Sequence, residues 1–250
     1  MNKTIVLRNK QRGSTAIEFV IAMPFFFILL FGLLEVTYVY RTKSTLNAAT
    51  FEAVRAGSLN NASAQAMRNT LANAMMPQFV DSDKSVGGIA KAYGESRLFE
   101  KALNAAAVGK INTVNIISPN KAIFDAFKKD IPVLDVKRQR FTNVNAIPND
   151  NLQFRNASNK SVKIGTKTEK INIQDANLLK IKTLWCHKLK VPGLKDLAHR
   201  TVLEGWFGVI RVSDEQRSCN ILGALHSERY VAITAHSIMR MQTPIYSNDL

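Results

Sequence analysis

The chain has 250 residues, 46 % of them hydrophobic, and a formal net charge of +15. A chain of this length and hydrophobic content can bury a core, which excludes disorder throughout and leaves one domain or two small ones. The basic residues are spread along the chain, so the composition indicates a solvated basic surface for anionic partners without naming nucleic acid as the partner.

The chain opens with a basic leader over residues 1–13, followed by a long apolar segment. The leader carries Lys3, Arg8, Lys10 and Arg12 and no acidic residue, and residues 19–34 hold no charge. A helix over residues 14–40 is long enough to cross roughly 30 Å of hydrocarbon at about 1.5 Å per residue. Positive charge before such a segment keeps that end in the cytoplasm, and no A-x-A-like cleavage site follows it. The sequence predicts one membrane anchor with the C-terminal bulk outside.

Two residues stand out within this anchor. Pro24 removes one backbone donor and leaves the carbonyl of Val20 without its helical partner, so we expect a bend there. Glu18 is costly, because an acidic residue at the centre of a membrane helix costs roughly 2.5 to 3.5 kcal/mol, and less near the interface. Glu18 therefore needs a cation or a hydrogen-bond donor nearby.

The order of these residues carries a resemblance. Gly13, the run Ser-Thr-Ala-Ile-Glu-Phe after it, Pro24 and the Phe/Leu/Ile stretch ending in Glu35 resemble the leader and anchor of the TadE-like family. Members of this family are minor pilins of the Tad (tight adherence, Flp-type) pilus. Residues 175–192 and 230–244 also look like the later segments of longer members. The resemblance implies a structural pilus protein that is not an enzyme and has no catalytic residues, cofactor or metal.

The resemblance also implies a processing site and partners. A prepilin peptidase would cut between Gly13 and Ser14 at the cytoplasmic face, and the new ammonium group of Ser14 would pair with Glu18 of a neighbouring subunit. Other Tad pilins, minor pilins and the inner-membrane assembly platform would be partners in adherence and biofilm formation. The alternative is a generic single-pass anchor in which Glu18 is a tolerated interfacial residue.

The predicted fold class is α+β, with the membrane helix extending into a pilin-like periplasmic domain that holds an antiparallel sheet. We expect a membrane helix over residues 14–40, its periplasmic extension over 41–58 and a globular domain over 59–250. The domain is predicted to be mostly helical to about residue 130 and strand-rich from about residue 160. Helices are predicted over residues 62–76, 89–108 and 120–129, and the asparagine-rich residues 142–159 are predicted to form a loop. Strands are predicted around residues 111–117, 162–164, 171–173, 179–185 and 230–241, and residues 194–212 are ambiguous.

The two cysteines, Cys186 and Cys219, both fall outside the membrane on this topology. In an oxidising compartment they would pair, and the chain-entropy model assigns a loop of about 30 residues roughly 3 to 4 kcal/mol of stabilisation. The other interpretation is a reactive thiol beside His187 in a periplasmic thiol enzyme. Neighbouring residues on a strand point to opposite faces, which makes that pair a poor dyad.

Motifs for other chemistry are missing from the sequence. The four histidines show no H-E-x-x-H or paired metal spacing, and no P-loop or G-x-S-x-G elbow is present. The rival for a binding role is a pilus-tip adhesin or DNA receptor that uses the basic residues 160–200, with Lys180 and Lys182 as phosphate contacts. These lysines alternate with apolar residues, which is also typical of a solvated sheet face.

Overall fold

The computed structural model describes residues 14–80, 85–107, 112–135, 139–191 and 212–246. The predicted leader, and all of the ambiguous segment 194–212 except Val212, lie outside the described residues. The helices within them are α1 (Ser14–Leu59), α2 (Ala64–Ala74), α3 (Val86–Ala105), α4 (Lys121–Phe127), α5 (Ile173–Ala176) and α6 (Asp214–His226), with a 3-10 turn over Met76–Gln78. The strands are β1 (Val114–Ser118), β2 (Lys129–Asp135), β3 (Arg140–Ile147), β4 (Lys160–Ile164), β5 (Lys167–Ile171), β6 (Leu178–Lys188), β7 (Tyr230–Arg240) and β8 (Ile245–Tyr246).

Helix α1 has two halves with different surroundings. Every residue from 17 to 34 except Gly32 is exposed, and we call residues 17–34 the outer half. Its most apolar 18-residue window has a mean hydropathy of 2.5 and no buried residue, so the helix is long and apolar enough to cross a membrane. Residues 35–59 form the packed half, in which Leu46, Ala49, Ala53 and Val54 are buried. We call the described residues from 35 onward the body.

The packed half lies on an antiparallel sheet of order β1-β6-β7. Strands β6 and β7 pair over their full lengths, from Leu178 opposite Arg240 to Lys188 opposite Tyr230. The Thr50 hydroxyl on α1 lies 2.6 Å from that of Thr183 on β6, and Ser58 accepts a backbone hydrogen bond from Gln242. Because β6 lies between two strands and under α1, its side chains from Leu179 to His187 are buried apart from the half-buried Lys180 and Lys182.

The remaining helices begin at side-chain caps. Ser63, Ser85, Asn120, Asn172 and Ser213 stand immediately before α2, α3, α4, α5 and α6, and each accepts a hydrogen bond from an amide in the first turn. Such caps satisfy donors that have no intrahelical partner. Local sequence therefore determines where these helices start, and their apolar faces determine where they lie.

The core has a main cluster between α1, α2 and the sheet and a smaller one around α6. Trp185 connects the aromatic side chains, with ring centroids 5.1 Å from Phe99 and 6.3 Å from Phe79. The smaller cluster contains Leu103, Leu184, Cys186, Cys219, Leu222 and Tyr230. Helices and antiparallel strands together confirm the α+β class, and among the described residues one helix is long and apolar enough to be a membrane span.

The predicted loop over residues 142–159 is wrong in its first part. Residues 142–147 belong to β3, which pairs antiparallel with β2, a strand that the sequence patterns did not predict. Asn143 and Asn145 are exposed while Thr142 and Val144 are half-buried, so the period-two pattern of a strand overrides the turn preference of asparagine. Pro132 in β2 breaks the usual strand pattern, and it lies on the strand that forms one edge of the sheet β2-β3-β8.

Candidate functional site

The predicted processing and assembly residues lie at the start of α1. Gly13 lies outside the described residues, and Ser14 is the first residue of the helix. Glu18 follows one helical turn later with an exposed side chain, and Pro24 lies inside the helix. The structure thus places Ser14, Glu18 and Pro24 on one continuous helix, in which the apolar side chains of the outer half are exposed. The roles predicted for these residues stay predictions.

The predicted cysteine pair forms a disulfide. Cys186 on β6 and Cys219 on α6 have Cα atoms 5.6 Å apart, and both side chains are buried. Neither sulfur is a free thiol. The bridge attaches α6 to the central strand of the sheet, next to Leu222. This buried position indicates a structural role for the disulfide.

The lysines of the rival binding hypothesis have different environments. Lys182 forms an ion pair with Glu215 on α6, and this hydrogen bond is the main reason that the pKa of the Glu215 carboxyl is lowered. Lys180 is half-buried beside Ile238 and Lys170 in a groove between the sheet and the β4–β5 hairpin. Lys182 therefore already has a carboxylate partner, whereas Lys180 borders an open groove.

A polar cluster that the sequence patterns did not predict lies where α1 meets the body. Glu35 accepts hydrogen bonds from the backbone amides of Lys190 and Val191, with the Val191 nitrogen 2.8 Å from Oε2. The Nε2 atom of His187 lies 3.6 Å from Oε1 of Glu35. We call Glu35, Thr42, Gln78, His187 and Lys190 the junction cluster.

A chain of hydrogen bonds with defined donors and acceptors indicates which ring nitrogen of His187 carries the proton. The hydroxyl of Thr45 donates to the carbonyl of Arg41, and Gln78 Nε2 donates to Thr45. The hydroxyl of Thr42 donates to Gln78 Oε1, so the Thr42 oxygen accepts from Nδ1–H of His187 at 2.8 Å. The neutral ring therefore turns a lone pair at Nε2 toward Glu35, which fits the 3.6 Å separation and the lack of a hydrogen-bond partner at buried Nε2 among the described residues.

Burial lowers the pKa of His187, because the charged ring loses hydration in this site. The carboxylate of Glu35 acts in the opposite direction and Lys190 in the same direction as burial. The junction cluster thus holds a histidine whose burial favours the neutral ring, beside a carboxylate that accepts hydrogen bonds from two backbone amides.

The sequence held one signal for this cluster. Glu35 is the first charged residue after the uncharged run 19–34, and a charge at that place indicates a boundary. Its partner Lys190 is 155 residues away, and His187 gave no pattern beyond its position next to Cys186. Pairing across that distance is fixed by the fold.

Comparison with known proteins agrees with the resemblance in the sequence. A family model described as TadE-like protein matches residues 13–55, which covers Gly13 and most of α1. No curated protein and no solved structure shows a significant match to the chain. The match confirms the predicted TadE-like resemblance for the N-terminal segment, and it ends within the packed half of α1.

Proposed function

We propose that this chain, whose residues 13–55 match the TadE-like family model, is a minor pilin or pseudopilin of a Tad pilus. A prepilin peptidase cuts it after Gly13, and α1 anchors it in the bacterial inner membrane with the body in the periplasm. It then joins other Tad pilins and minor pilins at the inner-membrane assembly platform and contributes to adherence and biofilm formation. Its role is structural.

The observation that carries this proposal is the overlap of the family match with the outer half of α1. The match covers the helix start, Glu18, Pro24 and the exposed apolar side chains of residues 17–34. This surface is too apolar to lie in water, and a membrane or the helices of other subunits would cover it. Association with a membrane and with other pilus components follows from the family and from this helix.

The proposed cut can be tested from the mass and the N-terminal residue of the mature protein, in cells with and without the peptidase. We expect Ser14 as the first residue when the peptidase is present and the uncut chain when it is missing. Gly13→Leu should block the cut because a bulky side chain stands at the scissile bond. Gly32→Leu is the matched control, since an added Cβ at Gly32 has no heavy atom of the protein within 4 Å. A mature chain that keeps residues 1–13 with active peptidase would overturn the processing proposal.

The proposed role of Glu18 needs a separate test, because processing and assembly are separate steps. Glu18→Ala should leave the cut intact and reduce incorporation into sheared pili, since the positive N-terminus of a neighbouring subunit loses its partner. Glu52→Ala, an exposed glutamate on the packed half of the same helix, is the control. Normal incorporation of the Glu18→Ala protein would show that the charge is incidental.

A further inference from the structure

A small cavity opens beside the junction cluster, where α1 leaves its outer half. Its volume is about 100 Å³. Three parts of the chain enclose it: α1, the segment after α2 and the end of β6. The lining residues are Tyr38, Arg41, Thr42, Gln78, His187 and Lys190, with Pro77 and Val80 at the side.

Two cations border this cavity. Arg41 and Lys190 are exposed, and no carboxylate among the described residues forms an ion pair with either side chain. The ammonium group of Lys190 lies over the ring of Tyr38, 5.0 Å from its centroid, which positions the charge at the cavity edge. Glu35 lies close by, but backbone amides hold its carboxylate. The cavity therefore has positive charge available for an anion.

The buried ring of His187 on β6 also lines the cavity, and its side chain is only 4 % exposed. The lone pair at its Nε2 atom faces Glu35, so the ring forms a wall of the cavity and leaves the polar contacts with a ligand to the two cations.

The position of the cavity along α1 indicates that the ligand comes from the membrane surface. Tyr38 and Arg41 follow Leu34, the last residue of the outer half, by about 6 and 10 Å of helix. The headgroup layer on each side of a bilayer is roughly 5 to 7 Å thick, and tyrosine favours this interface. Exposed Tyr40 and Val80 lie at the same end of the body.

We propose that this cavity binds the headgroup of an anionic phospholipid, with the phosphate held by Arg41 and Lys190. Phosphatidylglycerol is such a lipid. The lipid fixes the body at the membrane surface and sets the depth at which α1 emerges. This inference rests on the proposed membrane insertion of α1, but it concerns residues outside the apolar run.

The test uses the full chain in nanodiscs of phosphatidylcholine that contain a minor fraction of phosphatidylglycerol. Native mass spectrometry after detergent extraction counts the lipids retained by each protein. Arg41→Gln/Lys190→Gln should lower the retention of phosphatidylglycerol by about fivefold for each charge removed. Lys163→Gln/Lys167→Gln, which removes two exposed lysines of the β4–β5 hairpin, should leave it unchanged. Arg41→Lys should keep most of the retention, since it keeps the charge.

Three results would overturn the proposal. Equal retention by the double variant and the wild-type chain would exclude Arg41 and Lys190 as ligands. Equal retention of phosphatidylcholine and phosphatidylglycerol would exclude an anionic headgroup. Displacement of the lipid by millimolar inorganic phosphate would assign the site to free phosphate. Failure of the wild-type chain to enter nanodiscs, seen by flotation, would instead overturn both the membrane anchor and this site, which separates the two proposals.

Discussion

The two halves of α1 share one secondary structure and have opposite surroundings. Leu33 in the outer half is 61 % exposed, while Leu46, thirteen residues later on the same helix, is fully buried. The outer half exposes large apolar side chains, whereas small residues in the packed half bring the helix close to its neighbours. A Cβ atom on Gly57 would lie 2.6 Å from the sulfur of Met67 and 2.9 Å from Leu179. The difference teaches that the same residue type is buried or exposed according to what the helix faces, and that small residues such as Gly57 let the packed half approach its neighbours closely.

The boundary between the halves is chemical as well as geometric. Glu35 is the first charge after the uncharged run, and its side chain accepts hydrogen bonds from the backbone amides of Lys190 and Val191. Charge-assisted bonds to two backbone amides give α1 a fixed register on β6. The body therefore begins directly where the apolar run ends, with no linker between them.

The largest expected difference between the halves comes from removing a leucine. Leu46→Ala should lower the free energy of unfolding of the body by about 2 to 5 kcal/mol, because it leaves a cavity between α1 and the sheet. Leu33→Ala, the same change at an exposed site, should leave that value unchanged. Chemical denaturation of the full chain in detergent, followed by near-ultraviolet circular dichroism, measures both. An equal loss in the two variants would mean that the outer half packs on the body.

A second variant tests the boundary itself. Glu35→Ala removes the acceptor of two backbone amides and should cost about 1.5 to 3 kcal/mol. The loss should be local, so the amides of Lys190 and Val191 should exchange hydrogen faster than those at the centre of β6. Glu52→Ala is the control, because Glu52 is exposed on the same helix. Unchanged exchange at residues 190 and 191 would show that Glu35 does not hold this segment.

Much of the fold could be predicted from local patterns. The alternation around Leu179–Trp185 predicted β6 because a half-buried strand repeats every two residues, and Pro77 marked the end of α2 because proline lacks an amide donor. The hairpin β2–β3 was not predicted because its exposed face carries Asn143 and Asn145, which favour turns in isolation. Pairing with β2 supplies the backbone hydrogen bonds that make a strand more stable than a loop in this segment.

The start of α1 and the junction cluster also differ in how far the sequence alone predicts them. Gly13, Ser14, Glu18 and Pro24 form a linear signal that a single sequence shows, and the family match covers these positions while their roles stay predictions. The junction cluster could not be predicted, because Glu35 and His187 come together only after β6 has paired and α1 has packed on it. A contact between residues more than 150 positions apart depends on the whole topology, and a local sequence pattern does not show it.

Two threonines of the packed half, the exposed Thr37 and the buried Thr50, give a smaller test of how α1 packs. Thr37 and Thr50 each donate to the carbonyl four residues earlier, but the Thr50 hydroxyl also meets Thr183 in the core. Thr50→Ala leaves a buried hydroxyl without that partner and should cost about 1 to 3 kcal/mol, whereas Thr37→Ala should change the unfolding free energy by a few tenths of a kcal/mol. The double variant Thr50→Ala/Thr183→Ala should recover part of the loss, since both polar partners are then removed.

The smallest expected effect is the pH dependence at the junction. Folding lowers the pKa of His187 from its ordinary value of 6.5, mainly through burial, against the opposing carboxylate of Glu35. Between the two pKa values the unfolded chain binds more protons than the folded one. The contribution of His187 to the free energy of unfolding should therefore be complete above pH 6.5 and decrease as the pH drops below it. In His187→Gln this fall should be shallower. His236, whose pKa is also lowered by burial and by Lys182, is present in both proteins, so the difference between the two curves isolates His187. Parallel curves between pH 7.5 and 5 would show that His187 stays neutral or is equally protonated in both states, and the junction would then hold α1 through Glu35 and the backbone amides alone.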